Sequence, residues 1–181
     1  MASFQPRGWI SVWFLINFPI IIYDTLYCFL RPRSMVGGDL NWLWKSYELW
    51  QEIDHVYGLP AYESGDGFTN AQALLNLLEQ ITGVIYLYLA YVVKTPAAPL
   101  IAFASNTSCL SKTILYWAQE YYCGFCAIGH NALPQLTLWV ALNAVWLIVP
   151  TIIAVQLYQD IAAGLRTAAR VDDATKRLKS K

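Results

Sequence analysis

The chain has 181 residues, of which 57% are hydrophobic and only 13% are charged. Soluble domains usually carry about 25% charged residues and about 45–50% apolar ones, so this composition favours a membrane protein over a soluble or disordered chain. The formal net charge is zero, so no overall basic field attracts nucleic acid, and four cysteines are too few for a cystine-stapled secreted scaffold.

Four apolar runs are each close to the roughly 20 residues that a membrane-spanning helix needs. Prolines or basic residues mark most of their ends. The predicted spans are residues 9–30, 71–93, 100–117 and 133–158. The sequence therefore predicts an all-α integral membrane protein, in which residues 1–160 form a four-transmembrane-helix antiparallel bundle with an internal ligand cavity. Residues 161–181 are predicted to be a basic cytosolic tail.

The distribution of basic residues predicts which side of the membrane each loop faces. Half of the 12 Lys and Arg residues follow Tyr158, the connection between the second and third spans carries Lys94, and residues 119–132 carry none. Positively charged segments stay preferentially in the cytosol, so both termini are predicted to be cytosolic and the two longer loops luminal or exterior. The last basic residues loosely resemble an endoplasmic-reticulum retrieval tail, although attraction to anionic lipid accounts for the same charges.

Three of the four predicted spans contain one charged side chain, which is costly inside a membrane and marks a candidate functional site. Measured along each helix, Asp24, Glu79 and Lys112 lie at a similar depth, about 8–15 Å from the luminal edge, and Asn143 lies level with them. Polar residues recur at spacings of three and four, so these helix faces are predicted to meet around the cavity. The alternative is a purely structural role, in which Lys112 pairs with a carboxylate and the amides only join helices.

Two carboxylates and one lysine cannot all be neutralised in pairs. We expect Lys112 to pair with Asp24 and to leave Glu79 protonated, since burial disfavours an unpaired charge. Glu79 is then the candidate general acid and Asp24 the candidate base.

Several short motifs, taken in their order along the chain, resemble those of a known family. They are Trp44-Lys45-Ser46-Tyr47, Gly67-Phe68-Thr69, Glu79 with Thr82, Ile114-Leu115-Tyr116-Trp117, and the segment from Asn143 to Pro150. From about Trp9 to Tyr158 the chain resembles the emopamil-binding protein family of sterol isomerases, and its first span, with Pro19, resembles the sigma-2 receptor. Both belong to the EXPERA superfamily of four-helix membrane modules.

The resemblance implies a membrane-embedded isomerase or cyclase that acts by proton transfer on a hydrophobic sterol-like, terpenoid or polyketide substrate, with fungal secondary metabolism as one setting. Glu79 matches the family's essential glutamate and Thr82 its hydroxyl partner. Asn143 and Trp146 match the pair that stabilises a carbocation, and Asp24 matches the first-span acid. A tryptophan ring beside a developing cation forms a favourable cation–π contact.

The full predicted site adds residues from the same polar helix faces. The catalytic candidates are Glu79, Asp24 and Lys112, and the candidates for substrate binding or cation stabilisation are Trp146, Asn143, Thr82, Asn76, Tyr116 and Trp139. No metal and no cofactor is expected. The resemblance implies the endoplasmic reticulum membrane, and dimers are common in the family, so a homodimer is one expected assembly.

Two departures from the isomerase pattern leave a second interpretation open. The family's histidine before the first-span acid is replaced by Pro19-Ile20, and Lys112 stands where the isomerase has glycine. The second interpretation is a non-catalytic lipid-binding or trafficking protein like the sigma-2 receptor.

The segment Cys123-Gly124-Phe125-Cys126, followed by His130, has the residue types of a metal or redox site. A metal would need a fourth ligand, which only His55 could supply. A luminal disulfide or plain thiols are therefore the favoured interpretation.

Overall fold

The computed structural model describes residues 5–180, and within that range the chain is helical and contains no strand. The α-helices are α1 Gly8–Phe29, α2 Ser46–Ile53, α3 Leu59–Glu63, α4 Phe68–Tyr88, α5 Ala98–Tyr122 and α6 Leu133–Lys179. Short 3₁₀ helices lie at Asn41–Trp44 and His55–Tyr57, and a π-helical turn at Leu89–Val93 continues α4.

Three of these helices are long and apolar enough to cross a membrane: α1, α4 with its π-helical continuation, and α6. They correspond to the first, second and fourth predicted spans, and they fit an integral membrane protein. The helix α5 covers the third predicted span, but serine, asparagine, threonine and lysine side chains interrupt its apolar sequence. Its passage through a membrane stays a prediction.

The four long helices pack in the order α1, α4, α5, α6, so that α4 lies between α1 and α5. Large apolar side chains such as Leu15 on α1 (60% exposed) and Ile148 on α6 (59% exposed) point outward, whereas Asn17, Asn76 and Asn106 are buried. An apolar exterior around a polar interior is the arrangement that lipid-surrounded helices adopt, because lipid cannot satisfy polar groups.

Residues 30–67 form a cap over one end of the long helices. The indole of Trp44 is buried and donates a hydrogen bond to the Tyr23 carbonyl oxygen of α1 (3.0 Å), which fixes one side of the cap. On the other side, Ile53 and Val56 pack against Ile128 in the connection between α5 and α6. These contacts hold α2 across the ends of the helices.

The opposite end of the molecule has its own core and a helical extension. The buried residues there are Ile10, Phe14, Tyr86, Ala90, Ala98, Ala102, Ile153 and Leu157. Alanines in this core allow α4, α5 and α6 to approach closely. Beyond it, α6 continues to Lys179, so most of the predicted basic tail is an exposed continuation of the last long helix.

Candidate functional site

A cavity of about 430 Å³ lies between the long helices and the cap. Its polar wall contains Asp24 of α1, Asn76 of α4, Lys112 and Tyr116 of α5, and Asn143 and Trp146 of α6. The rest of the cavity wall is mainly apolar and includes Ile21, Trp50, Leu138 and Leu142. A mainly apolar cavity of this size with a few polar groups is typical of a site for a small hydrophobic molecule.

A chain of polar contacts joins the four helices α1, α2, α4 and α5 at the cavity wall. The carboxylate of Asp24 accepts hydrogen bonds from the Tyr47 hydroxyl of α2 (2.7 Å) and from the Asn76 amide of α4 (3.1 Å). The carbonyl oxygen of Asn76 accepts a hydrogen bond from Nζ of Lys112. That ammonium lies 3.0 Å from Oε2 of Glu79 as an ion contact. The three charged residues that the sequence placed at one depth therefore belong to one network.

The predicted ion pair between Lys112 and Asp24 is wrong. Lys112 pairs with Glu79 instead, and the two side chains are only 7% and 4% exposed. The reason is the order of the helices, since α5 and α4 are neighbours whereas α4 separates α5 from α1. Lys112 reaches Asp24 only through the amide of Asn76, so the carboxyl without a cationic partner is that of Asp24 and not, as expected, that of Glu79.

The carboxyl that faces the cavity is that of Asp24, because Glu79 lies behind Lys112 and Asn76 and does not line the cavity. Glu79 also contacts Asn17 of α1, whose side-chain amide donates a hydrogen bond to Oε1 of Glu79 (3.2 Å). The indole Nε1 of Trp146 donates to the carbonyl oxygen of Asn17 (2.7 Å). Asn17 therefore ties α1 to both α4 and α6.

Besides Glu79, two of the predicted site residues, Thr82 and Trp139, contribute no side chain to the cavity wall. The hydroxyl of Thr82 donates to the backbone carbonyl oxygen of Glu79 (2.8 Å) and does not contact its carboxylate. Trp139 is fully buried on the outer side of Tyr116, and its indole donates to Asp54 (2.6 Å). Asn143 lines the cavity, and its amide donates to the Trp139 carbonyl oxygen (2.9 Å), which leaves its own carbonyl oxygen free for a ligand.

Asp54, in the turn after α2, is a buried carboxyl that sequence reasoning missed. It accepts hydrogen bonds from the Tyr116 hydroxyl, from the indole of Trp139 and from the backbone amide of Val56 (3.3 Å). Burial raises the pKa of the Asp54 carboxyl above its ordinary value. Its sequence neighbourhood contains other acids at no special spacing, so only the fold shows that it supports the cavity residue Tyr116.

The cap also supplies Tyr47 and Tyr57 to the cavity wall. The ring of Tyr47 stacks on Tyr27 of α1 with a centroid distance of 4.2 Å, which holds its hydroxyl against Asp24. The sequence contained a signal for Tyr47, because it ends the Trp44-Lys45-Ser46-Tyr47 motif. No pattern indicated Tyr57.

Cys123 and Cys126 form a disulfide, which is one of the two forms, disulfide or plain thiols, that the sequence left open. The two histidines considered with it contact each other: the rings of His55 and His130 stack at a centroid distance of 3.7 Å. This contact holds the connection between α5 and α6 against the cap.

No protein-family model matches this chain, and no curated protein matches it.

Proposed function

We propose that the protein is a membrane-embedded isomerase or cyclase that uses proton transfer and cation stabilisation on a hydrophobic sterol-like, terpenoid or polyketide substrate. The observation that carries the proposal is the carboxyl of Asp24 in the wall of a mainly apolar cavity that also contains the indole of Trp146. In this proposal α1, α4, α5 and α6 form an EXPERA-type bundle in the endoplasmic reticulum membrane, with both termini cytosolic.

Asp24 is the group that exchanges a proton with the substrate. As a carboxylic acid it gives a proton to an alkene, and as a carboxylate it takes a proton from a carbon beside the resulting cation. The hydrogen bonds from Tyr47 (2.7 Å) and Asn76 (3.1 Å) fix its orientation. Because little water enters an apolar cavity, each of these polar interactions is stronger than it would be in solution.

Lys112 and Glu79 act as a positioning pair. Glu79 neutralises the ammonium of Lys112, so a cation that develops in the cavity is not repelled by an unpaired positive charge. Lys112 in turn holds the carbonyl oxygen of Asn76, which directs the amide of Asn76 toward Asp24. The ring of Trp146 and the carbonyl oxygen of Asn143 then stabilise positive charge on the substrate.

A non-catalytic lipid-binding or trafficking protein is the second candidate function. One observation favours it: the glutamate that matches the isomerase family is paired with Lys112 and lies outside the cavity wall. Such a protein would use the shape of the cavity but not the proton of Asp24.

The test is to incubate membranes that contain the protein with sterol and terpenoid precursors in D₂O. An isomerase or cyclase that protonates its substrate yields isomers of the substrate that carry solvent deuterium, which mass spectrometry detects. Asp24→Asn keeps the size of the side chain and loses the transferable proton, so turnover should fall by about 10²-fold or more. Asp173→Asn changes an exposed carboxyl of α6 and is the control that should keep full turnover.

Full turnover in Asp24→Asn would remove this carboxyl from the mechanism. If a photoreactive sterol labels the parent and Asp24→Asn equally, and no precursor gains deuterium, lipid binding replaces the enzymatic proposal.

A further inference from the structure

The disulfide between Cys123 and Cys126 lies in the connection between α5 and α6, outside the cavity of the proposed function. Both of these cysteines are exposed, whereas the free cysteines Cys28 and Cys109 are buried. A thiol reagent or a partner protein can therefore reach this pair of sulfur atoms and no other cysteine in the described chain.

A buried carboxyl lies beside the disulfide. Glu120 is 3% exposed, and one of its carboxylate oxygens lies within 4.8 Å of both sulfur atoms. Its Oε2 accepts a hydrogen bond from the backbone amide of Ala127 (3.2 Å), and among residues 5–180 no cation forms a salt bridge with it. A buried carboxyl without a cationic partner, beside a reactive bond, is suited to proton transfer.

The two sulfur atoms differ in their surroundings. The backbone amide of Cys126 donates to Sγ of Cys123 at 3.1 Å, a contact that stabilises a thiolate on Cys123. Cys126 lines a surface groove of about 520 Å³ that also contains Met35 and Leu59 of the cap. An incoming thiol therefore meets Cys126 from the groove, and Cys123 is the better leaving group.

The turn that the disulfide closes is conformationally unfavourable. Phe125 has φ +60°, a left-handed conformation that costs a bulky residue free energy. Reduction of the disulfide opens the ring and lets Phe125 leave this conformation, which favours exchange.

We propose that Cys123 and Cys126 form a thiol–disulfide exchange site that takes two electrons from a protein dithiol, with Glu120 as its proton donor. A thiolate of the partner attacks Sγ of Cys126, the bond between Cys126 and Cys123 breaks, and its electron pair goes to Cys123. Cys123 takes the proton of the Glu120 carboxylic acid. The partner's second thiol then gives its proton to Glu120 and attacks the partner sulfur of the mixed disulfide.

In this last step Cys126 leaves as a thiolate and is protonated by water. The partner ends as a disulfide, and Cys123 and Cys126 end as two thiols, so atoms, protons and electrons balance.

The experiment uses the full chain in detergent micelles without denaturant. Dithiothreitol serves as the dithiol, and a polyethylene-glycol maleimide added over time counts free thiols by gel shift. We expect two new labelled thiols, while buried Cys28 and Cys109 stay protected. Glu120→Gln should slow the reduction by about 10-fold or more. Glu120→Asp should recover part of the rate, and Glu63→Gln, an exposed glutamate of α3, should leave it unchanged.

Several outcomes would overturn the proposal. If the disulfide is reduced only after the protein unfolds, its role is only to stabilise the loop. The same conclusion follows if Glu120→Gln leaves the rate of reduction unchanged. Equal rates with glutathione and with dithiothreitol would exclude a preference for a dithiol. If Glu120→Gln fails to fold, the pH dependence of the reduction rate is measured on the parent protein instead. A rate that changes with pH only as the dithiothreitol thiol ionises would contradict a role for Glu120. The readout needs no hydrophobic substrate, so it is independent of the proposed isomerase or cyclase activity.

Discussion

Asn76 is the residue through which the charges at the cavity wall are connected. Its amide donates to Asp24, and its carbonyl oxygen accepts from Lys112. Only a side chain with both a donor and an acceptor serves both neighbours; a carboxylate would repel Asp24, and an apolar group would leave both without this contact. The pattern of polar residues placed Asn76 on the inward face of α4 but did not indicate these partners.

Breaking the buried ion pair by removing one partner should destabilise the protein far more than breaking an exposed pair with the same separation. Lys112→Met leaves Glu79 as an uncompensated buried charge, and we expect it to destabilise the protein by about 3–5 kcal/mol, measured by unfolding in detergent. Lys45 and Glu48 form an ion contact that is also 3.0 Å long but exposed, so Lys45→Met is the matched control and should cost about 1 kcal/mol or less.

The double variant Lys112→Met with Glu79→Gln removes both charges and should recover most of the lost stability. A Lys112→Met protein that is as stable as the Lys45→Met protein would contradict this prediction, because it would show that losing Lys112 leaves no costly buried charge on Glu79.

Asp54 should give the protein a measurable pH dependence of stability. Because its pKa is raised in the folded state by burial, folding favours the protonated carboxyl. The contribution of Asp54 is therefore complete below its unfolded pKa of about 3.9 and is lost as the pH rises through the higher folded pKa. Asp54→Asn cannot titrate, so its unfolding free energy should change less between about pH 4 and about pH 8 than that of the parent. Asp173→Asn should keep the parental pH dependence; an identical profile for all three proteins would contradict the assignment.

At the scale of whole elements, contacts between helices depend on small residues and buried amides. Asn106 of α5 donates to the backbone carbonyl oxygen of Pro150 in α6 (2.6 Å), within a stretch where proline interrupts the helical hydrogen bonding. Gly83 of α4 lies against the ring of Phe14, so α1 approaches the backbone of α4. The first contact joins α5 to α6, and the second joins α1 to α4.

Two helical glycines should respond in opposite ways to alanine. A Cβ on Gly83 would lie 2.9 Å from Cδ1 of buried Phe14, so we expect Gly83→Ala to destabilise the protein by about 1–3 kcal/mol, because the packed ring has to move. A Cβ on Gly164 of α6 meets nothing within 4 Å, so Gly164→Ala should stabilise the protein by up to about 1 kcal/mol through helix propensity. Thermal unfolding in one detergent compares the two, and a stabilised Gly83→Ala protein would contradict the close approach of α1.

For the molecule as a whole, the distribution of polar and apolar side chains fits an integral membrane protein. The large apolar side chains of α1, α4 and α6 face outward, whereas the ion pair and the amides are enclosed. The cap, with α2 and α3, lies at one end, and the connection at Lys94 and the basic extension of α6 lie at the other. Because positively charged segments stay preferentially in the cytosol, the proposed orientation places the end with Lys94 and the basic extension there.

The proposed orientation can be tested by glycosylation mapping. An acceptor site inserted at Gly65, in an exposed turn of the cap with φ +76°, should be modified by luminal glycosylation, whereas one inserted beside Lys94 should not. The native Asn106-Thr107-Ser108 sequence is an internal control, because Asn106 is only 2% exposed and should stay unmodified. Modification beside Lys94 but not at Gly65 would reverse the orientation, and resistance of the protein to extraction by alkaline carbonate checks its integration independently.

The sequence by itself determined the long helices and much of the polar wall of the cavity. Helices form from local hydrogen bonds, and a run of apolar residues long enough to span a membrane is a local property, so α1, α4 and α6 were predictable. The inward faces followed from polar residues three and four apart, which placed Asp24, Asn76, Lys112 and Asn143 at one cavity. The sequence did not predict that most of the tail is an exposed helix, since the composition of the tail is also compatible with an extended basic segment.

The tertiary structure decided which polar groups contact each other. The partner of Lys112 depends on which helices are neighbours and on how far each is rotated, and packing across the interior sets both. Because α4 lies between α1 and α5, Lys112 pairs with Glu79, and Asp24 is the carboxyl that lines the cavity. Asp54 and Tyr57 reached the site only because the cap folds over the helix ends, through contacts that are distant in the chain and have no local periodicity.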